Sequence, residues 1–538
     1  MREKPNNEKP NIVLMFTDQQ RWDTLRVYGN ALIHTPNLDR LALEGAIFDN
    51  ATTPCPLCAP ARACTMTGLA AGRTGVFDNE SAPAVDEGDS LAMRLREQGY
   101  YTQAIGKMHF TPQGQTYGMD GLTLSEEMRG VRTAGTAEEV EFDDYDRFLM
   151  KRGVWGWEKP PEIGYNELKP LVNGLPKECH ITQWCGDRTV EWLENERPKD
   201  QPFFLWTSFV KPHAPFDCPQ HLIDLYDPAK MPKPWRTGEE GQEDNPLLQE
   251  YRDAMEEELY SEAAIAKNKA YYYANITFID EQVGRIMRAL KEQGLEKNTL
   301  VVFTSDHGEL LGDHRLWYKK LGYEGSVHIP LLAKWPGRIE PGTRCGEVAS
   351  LLDLFPTFVN AADGSMPERA MPGVDLMDLL SGKKTREAVC SEFYVAPNYL
   401  LHVRSREWKY LFYQNGGFES LFHLGEDPHE LNDLAGDPHY AEVKEALKSA
   451  AEQWIREHSD PELALGGDGK LKSLPYQGKA ASSNPSGNPR PFSRMPWDSR
   501  VPPSTLPMEK RSWFWRAVDG DWSTVLNRIG GTNETQKE

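Results

Sequence analysis

The chain has 538 residues, long enough for one large core or a large and a smaller one. Its 60 Lys+Arg against 81 Asp+Glu give a formal net charge of −21, the wrong sign for sequence-independent nucleic-acid binding or for adhesion to anionic membranes. Hydrophobic residues make up 39%, a globular composition, and no run of about 18 apolar residues offers a membrane span.

The first predicted strand is Asn11 to Phe16, a continuous apolar run of the kind that is covered on both faces in a parallel sheet. The run is too short, and too soon followed by charge, for a secretory segment, so the expected location is the cytoplasm. Thr35-Pro36 predicts a helix start, with Leu38, Leu41 and Ala42 buried and Gly45 as terminator. A second helix is expected over Ser90 to Gln98, and a strand over Tyr101 to Ile105. Pro202 to Ser208 reads as another buried strand. Ile276, Ile279, Val283, Ile286 and Leu290 recur at helical spacing within a helix over about 269–293, followed by a strand at Thr299 to Ser305. This alternation predicts an α/β fold: a mostly parallel sheet flanked by helices.

The last third changes character. His402 to Tyr413 and Glu419 to His423 predict short antiparallel strands, and Tyr440 to Ile455 a helix. The expected organisation is a catalytic domain at 1–370, a small α+β domain at 371–460 and a tail at 461–538. The tail has nine prolines between Pro461 and Pro507 but also Trp497, Trp513, Phe514, Trp515 and Trp522. It is expected to wrap over the body or a neighbouring subunit, which makes a homo-oligomer a possible assembly.

Polar residues follow four of the strands, where open α/β sheets bind ligands. Asp18 follows the first, Lys107 and His109 the Tyr101 strand, Lys211 and His213 the Phe204 strand, and Asp306 and His307 the Thr299 strand. Taken alone, each has a structural explanation as a cap, a turn former or a satisfied histidine. Topology would bring them together.

Cys55 and Cys58 form a C-x-x-C pair among eight cysteines, too few for a disulfide scaffold in this length. A zinc site would want a second C-x-x-C at ribbon spacing, and none exists. A thioredoxin-like site would leave the strand-end residues unexplained. The other reading is Cys58-Ala59-Pro60-Ala61-Arg62, a C-x-P-x-R run followed by TGL. It resembles the signature of type I sulfatases, members of the alkaline phosphatase superfamily. FTDQQ, TPNLDRLALEG, GKMH, KPHAPF, SDHGELLGDH, LWYKKLGYEGSVHIPLL and ESLFHLGEDPHELNDLAGDP also resemble that family's blocks, in its order, over about residues 10–455.

The resemblance implies an alkaline-phosphatase-like fold and hydrolysis of an organic sulfate monoester of aryl or carbohydrate type. It implies that a maturation enzyme oxidises Cys58 to formylglycine (3-oxoalanine). The hydrated aldehyde offers a geminal diol: one hydroxyl attacks sulfur, and the other then loses its proton and expels sulfate. Asp18, Gln19, Asp306 and His307, with residue 58, are the implied holders of one divalent metal. Family members often have Asp where this chain has Gln19. Oxygen-rich ligation favours Ca²⁺, and His307 leaves Mg²⁺ or Mn²⁺ open.

Arg62 is expected to hold the residue-58 hydroxyls and the metal-site carboxylates. Lys107 and Lys319 match the family's sulfate-binding lysines; Lys319 is preferred over Lys320 for its spacing to Tyr323-Glu324. His109 is the expected base for the elimination, and His213 the residue that protonates the leaving oxygen or binds sulfate. Asn79 is a further substrate contact. Lys211 and His314 are equally well explained as structural.

The rival reading is a phosphonate monoester or phosphodiester hydrolase, which shares the signature and resembles this chain in a D-Q pair near the N-terminus. A non-catalytic relative is a third, opposed by the complete residue set. In either enzyme the substrate is a small anion, so Arg62, Lys107, Lys319 and the metal must form a compact positive pocket within an acidic shell.

Overall fold

This computed structural model describes residues 9–79, 81, 89–127, 141–156, 167–236, 245–253, 261–395 and 398–478. The strands in chain order are β1 (Asn11–Asp18), β2 (Ala46–Thr52), β3 (Tyr101–Gly106), β4 (Gly121–Leu124), β5 (Pro170–Val172), β6 (Phe203–Pro212), β7 (Phe216–Cys218), β8 (Thr299–Ser305), β9 (Leu331–Lys334) and β10 (Thr343–Ser350). Four more follow: β11 (Ala388–Val395), β12 (Asn398–Ser405), β13 (Trp408–Tyr413) and β14 (Phe418–His423).

Eight strands form the main sheet in the order β10-β2-β9-β8-β1-β6-β3-β4. All neighbours are parallel except β9, which runs antiparallel to β2 and β8. The second sheet, β11-β12-β13-β14, is antiparallel throughout.

β1 and β6 are buried at every position, and strand alternation sends their apolar residues to both faces. Val13, Met15, Phe203 and Leu205 feed one core; Ile12, Leu14, Phe16, Phe204 and Trp206 feed the other. The first core is covered by the long helix Glu262–Glu292 through Ile276, Ile279, Val283, Ile286 and Leu290. Each such side chain contributes about 1.5–3 kcal/mol on burial. The second core lies under the helices Leu91–Glu97 and Leu354–Ala361.

Two local details differ from expectation. The Thr35 hydroxyl does not cap the helix Pro36–Leu43; it accepts from the Arg26 N–H. The cap is Asp280 of the long helix, whose carboxylate accepts from the N–H groups of Asn37 and Leu38 at 3.0 and 2.7 Å. Gly45 is required by contact rather than by turn geometry, since a Cβ there would lie 2.2 Å from the Ala333 carbonyl oxygen.

In the C-terminal part the single predicted segment His402 to Tyr413 is two strands, β12 and β13, and β11 precedes them. The helix Ala441–His458 packs on this sheet through Leu447, Ala451 and Ile455. Buried charges tie it to the main body. Glu324 accepts from Arg404 Nε and Lys409 Nζ, both at 3.0 Å, and Lys409 also pairs with Glu430 at 2.7 Å. Residues 461–478 continue along the sheet, with Ala464, Leu465 and Leu471 in its core. The aromatic part of the tail, and with it the expected wrapping and assembly, lies outside the described residues.

Candidate active site

The order β8-β1-β6-β3 sets four strand ends side by side. That juxtaposition brings Asp306 and His307, Asp18, His213 and Lys107 to one edge, from positions scattered over about 290 residues of chain. Gly106 makes one join possible: a Cβ there would lie 1.9 Å from the Ser208 carbonyl oxygen, and that closeness lets the Lys107 N–H bond to the same oxygen.

The signature segment, to which periodicity assigns no element, is the helix Cys58–Thr67, ended by Gly68 at φ 67°. All ten of its residues are buried, so no amphipathic pattern marks it. Leu57 precedes it without a side-chain cap, and Asn79 Oδ1 instead accepts from the Ala59 N–H at 3.1 Å. Asn79 therefore reaches the start of this helix, beside residue 58. The helix N-terminus favours negative charge there. One turn on, Arg62 faces the same way as Cys58.

Arg62 is fully buried and is the hub of the site. It contacts Asp306 at 2.9 Å and Asp18 at 3.2 Å, and donates to Ser208 Oγ at 2.8 Å and to the Lys107 carbonyl. Cys58 Sγ lies 3.1 Å from His307 Nε2 and 3.5 Å from Asp18 Oδ1. Ligand atoms of Asp18, Cys58, Asp306 and His307 all fall within 4.8 Å of one another. His307 Nδ1–H donates to the Gly308 carbonyl at 3.0 Å, which turns the lone pair of Nε2 toward the other three. That is how metal-binding imidazoles are prepared, so the donor set fits a divalent cation.

Gln19 is drawn into a different pairing. Its amide oxygen accepts from the Lys319 ammonium and its amide nitrogen donates to Glu309 at 2.5 Å. Lys319, not Lys320, is the lysine in this contact. Lys107 pairs with Asp18 at 2.9 Å and Glu127 at 3.0 Å. His109 lines a small pocket with Ala59, Ala63 and Met66 of the signature helix. His314 is elsewhere, stacked on Tyr323 with ring centroids 4.1 Å apart.

Charges in so dry a site control one another. Burial alone would raise Asp18, but the Lys107 and Arg62 charges override it and hold the carboxyl well below its ordinary range. Burial would lower Lys107; Asp18 and Glu127 reverse that and keep it charged. His213 is held well below 6.5 by burial, then by Lys319 and Lys107. It is neutral, and its Nδ1–H donates to the Ala214 carbonyl at 2.7 Å.

Cys58 shows the opposite of thiol activation. Burial, with Asp18 adding, pushes its thiol up to about 12, and Lys319 opposes only in part. Nucleophilic cysteines have depressed values instead. Unconverted, metal-free protein is expected to alkylate at Cys58 roughly a thousandfold more slowly at pH 8 than a free thiol, because so small a fraction of it is thiolate. Iodoacetamide labelling read by peptide mass spectrometry checks this, and rapid labelling of Cys58 would contradict it.

Glu127, Glu309, Glu126 and Ser208 are missed by reading motifs. Glu126 accepts from the N–H groups of Met108 and His109 at 2.8 and 2.9 Å and so fixes the turn that carries Lys107 and His109.

Fold and site together define a hydrolase of anionic esters, with a cluster that could hold a metal at the strand ends of an alkaline-phosphatase-like sheet. Comparison makes this specific. A family model described as Sulfatase matches residues 10–365, and one described as N-sulphoglucosamine sulphohydrolase, C-terminal, matches 312–457. The chain is 32% identical to an arylsulfatase of Clostridium perfringens, covering 82% of this chain and 93% of that protein. It is 30% identical to a choline-sulfatase of Rhizobium meliloti, covering 84% and 88%. A phosphonate monoester hydrolase of Agrobacterium radiobacter superposes with a TM-score of 0.71 at 26% identity, over 87% of this chain and 100% of that one.

The chain belongs to the sulfatase family and is a sulfuric ester hydrolase. Members of this family generally work with a metal and a formylglycine. Among the described residues, no helix is long and apolar enough to cross a membrane.

Proposed function

We propose that this enzyme hydrolyses an organic sulfate monoester of aryl or carbohydrate type, with residue 58 as formylglycine. The observation that carries this reading is the buried cluster of Cys58, Asp18, Asp306 and His307 around Arg62. A formylglycine at 58, once hydrated, supplies a hydroxyl nucleophile in place of a thiol that burial keeps protonated. A divalent cation held by Asp18, Asp306 and His307, with the Gln19 amide oxygen as a further donor, would supply Lewis-acid polarisation. Oxygen donors favour Ca²⁺, and His307 leaves Mg²⁺ or Mn²⁺ open. Elemental analysis of the purified enzyme distinguishes them.

The chain's own side chains do the rest. Arg62 holds the two carboxylates in place. Lys107 and Lys319 take the nonbridging sulfate oxygens, where charge develops. Asn79 steadies the start of the signature helix beside the substrate. His109 serves as base for the elimination. His213 handles the leaving oxygen: a bound anion offsets Lys107 and Lys319, so the imidazole gains its proton only with substrate in place. A formylglycine-generating maturation enzyme is the partner the chain requires. A reducing, cytoplasmic location fits the seven cysteines besides residue 58, all of them buried and unpaired.

A second reading, phosphonate monoester or phosphodiester hydrolysis, is favoured by Gln19 in place of a carboxylate and by the solved phosphonate hydrolase of similar fold. Parallel kinetics decide. A larger kcat/KM is expected for 4-nitrophenyl sulfate than for a phenyl phosphonate monoester, and the reverse order would transfer the chain to the second reading.

A further inference from the structure

The segment KPHAPFDC, which begins within β6 and runs through β7, contains a lysine the reaction does not use. Lys211 is buried, its side chain 4% exposed, at the end of the strand that delivers His213. An ammonium group has three donors. Here all three are committed inside the protein: to the His213 carbonyl at 3.2 Å, to the Pro215 carbonyl at 2.8 Å, and to the Asp217 carboxylate. None is left for a substrate oxygen, so sulfate binding does not explain this lysine.

What Lys211 holds is informative. His213 and Pro215 flank Ala214, whose carbonyl accepts from His213 Nδ1–H at 2.7 Å. The ring's acceptor therefore sits between two carbonyls that Lys211 fastens. With Nδ1 committed, Nε2 is the nitrogen left to face the pocket of Lys107, Lys319 and Asp18, whose charges act on the ring.

Asp217 is itself braced. It accepts from Asn173 Nδ2, and His180 Nε2 approaches it at 3.6 Å. His180 Nδ1 accepts from the Thr182 N–H at 3.1 Å and so caps the helix Ile181–Glu191. The chain of contacts thus runs from a helix start through Asp217 and Lys211 to the loop under His213.

We propose that Lys211 is a positioning residue: anchored by Asp217, its ammonium pins the carbonyls on either side of Ala214 and so fixes where His213 aims Nε2. The proposal rests on the reading of His213 as the residue that serves the leaving oxygen. A misaimed proton donor costs most where the leaving group is a poor one and little where the leaving group departs unaided.

The test compares kcat on phenyl sulfate, a poor leaving group, and 4-nitrophenyl sulfate, a good one. The full-length enzyme is used, with the formylglycine content of every variant checked by peptide mass. Lys211→Met is expected to lower kcat on phenyl sulfate roughly tenfold more than on 4-nitrophenyl sulfate, with KM moving less than about threefold. Lys211→Arg is expected to restore most of the loss. Asp217→Asn is expected to reproduce the selective loss, and it stands in if Lys211→Met does not fold.

His213→Gln, measured in parallel, should show the same selectivity more strongly. If His213→Gln is selective while Lys211→Met and Asp217→Asn slow both substrates equally, or neither, the positioning role is overturned and the His213 reading stands. If His213→Gln is itself unselective, the leaving-group reading falls and takes the Lys211 role with it.

Discussion

Replacing Cys58 by alanine is expected to lower kcat on an aryl sulfate by roughly four orders of magnitude or more while leaving the fold intact. The kinetic loss is large because the proposed nucleophile sits at one position that no neighbour duplicates. Arg62 and Lys107 are held charged, and the carboxylates of Asp18 and Asp306 are engaged with Arg62. The structural cost is small because the helix Cys58–Thr67 is fixed by its other buried residues and by Asn79 at the Ala59 N–H. Removing one sulfur from a packed site costs about 1 kcal/mol. Steady-state kinetics beside a thermal melt separate the two effects, and undiminished turnover would remove residue 58 from the chemistry.

Asp306→Ala is expected to act on metal, activity and stability together. Asp306 is fully buried, contacts Arg62 at 2.9 Å, and accepts from the N–H groups of Gln19 and His307 at 3.0 and 2.9 Å. Without it Arg62 keeps Asp18 as its carboxylate partner, and breaking such a buried pair typically costs about 3–5 kcal/mol. Metal content is expected to fall to background and activity with it. Retained metal at full stoichiometry would refute Asp306 as a ligand, whatever the effect on stability.

These two experiments probe residues that were legible in the sequence, and the reason is geometric. Asp18, Lys107, His213, Asp306 and His307 each follow an apolar run, and apolar runs of that length become strands of one parallel sheet. Strand ends gather, so residues far apart in the chain become neighbours. The long helix was legible for a similar reason, because Ile276, Ile279, Val283, Ile286 and Leu290 mark its buried face.

What stayed hidden depends on three-dimensional partners. Glu127 and Glu309 look like ordinary surface acids, and only the fold puts one on Lys107 and the other on Gln19. The signature helix has no polar face to give it a period. Asp280 interrupts an apolar stripe for a reason found in another helix, whose start it caps. Gln19 reads as a metal ligand by position, but its oxygen accepts from Lys319 and its nitrogen donates to Glu309. Arg62, Lys107 and Lys319 are buried beside Asp18, Asp306 and Glu127, so any attraction for an anion is local and would draw on the charge of a bound cation.

The proposed chemistry turns on residue 58 being something other than cysteine in the working enzyme. The mass of the tryptic peptide that contains it, from protein made together with a formylglycine-generating enzyme, decides the matter. The peptide is expected about 18 Da below the cysteine form, the loss of H₂S and gain of oxygen that conversion to the aldehyde requires. A peptide at the free-thiol mass, from protein that nonetheless turns over sulfate esters, would contradict it.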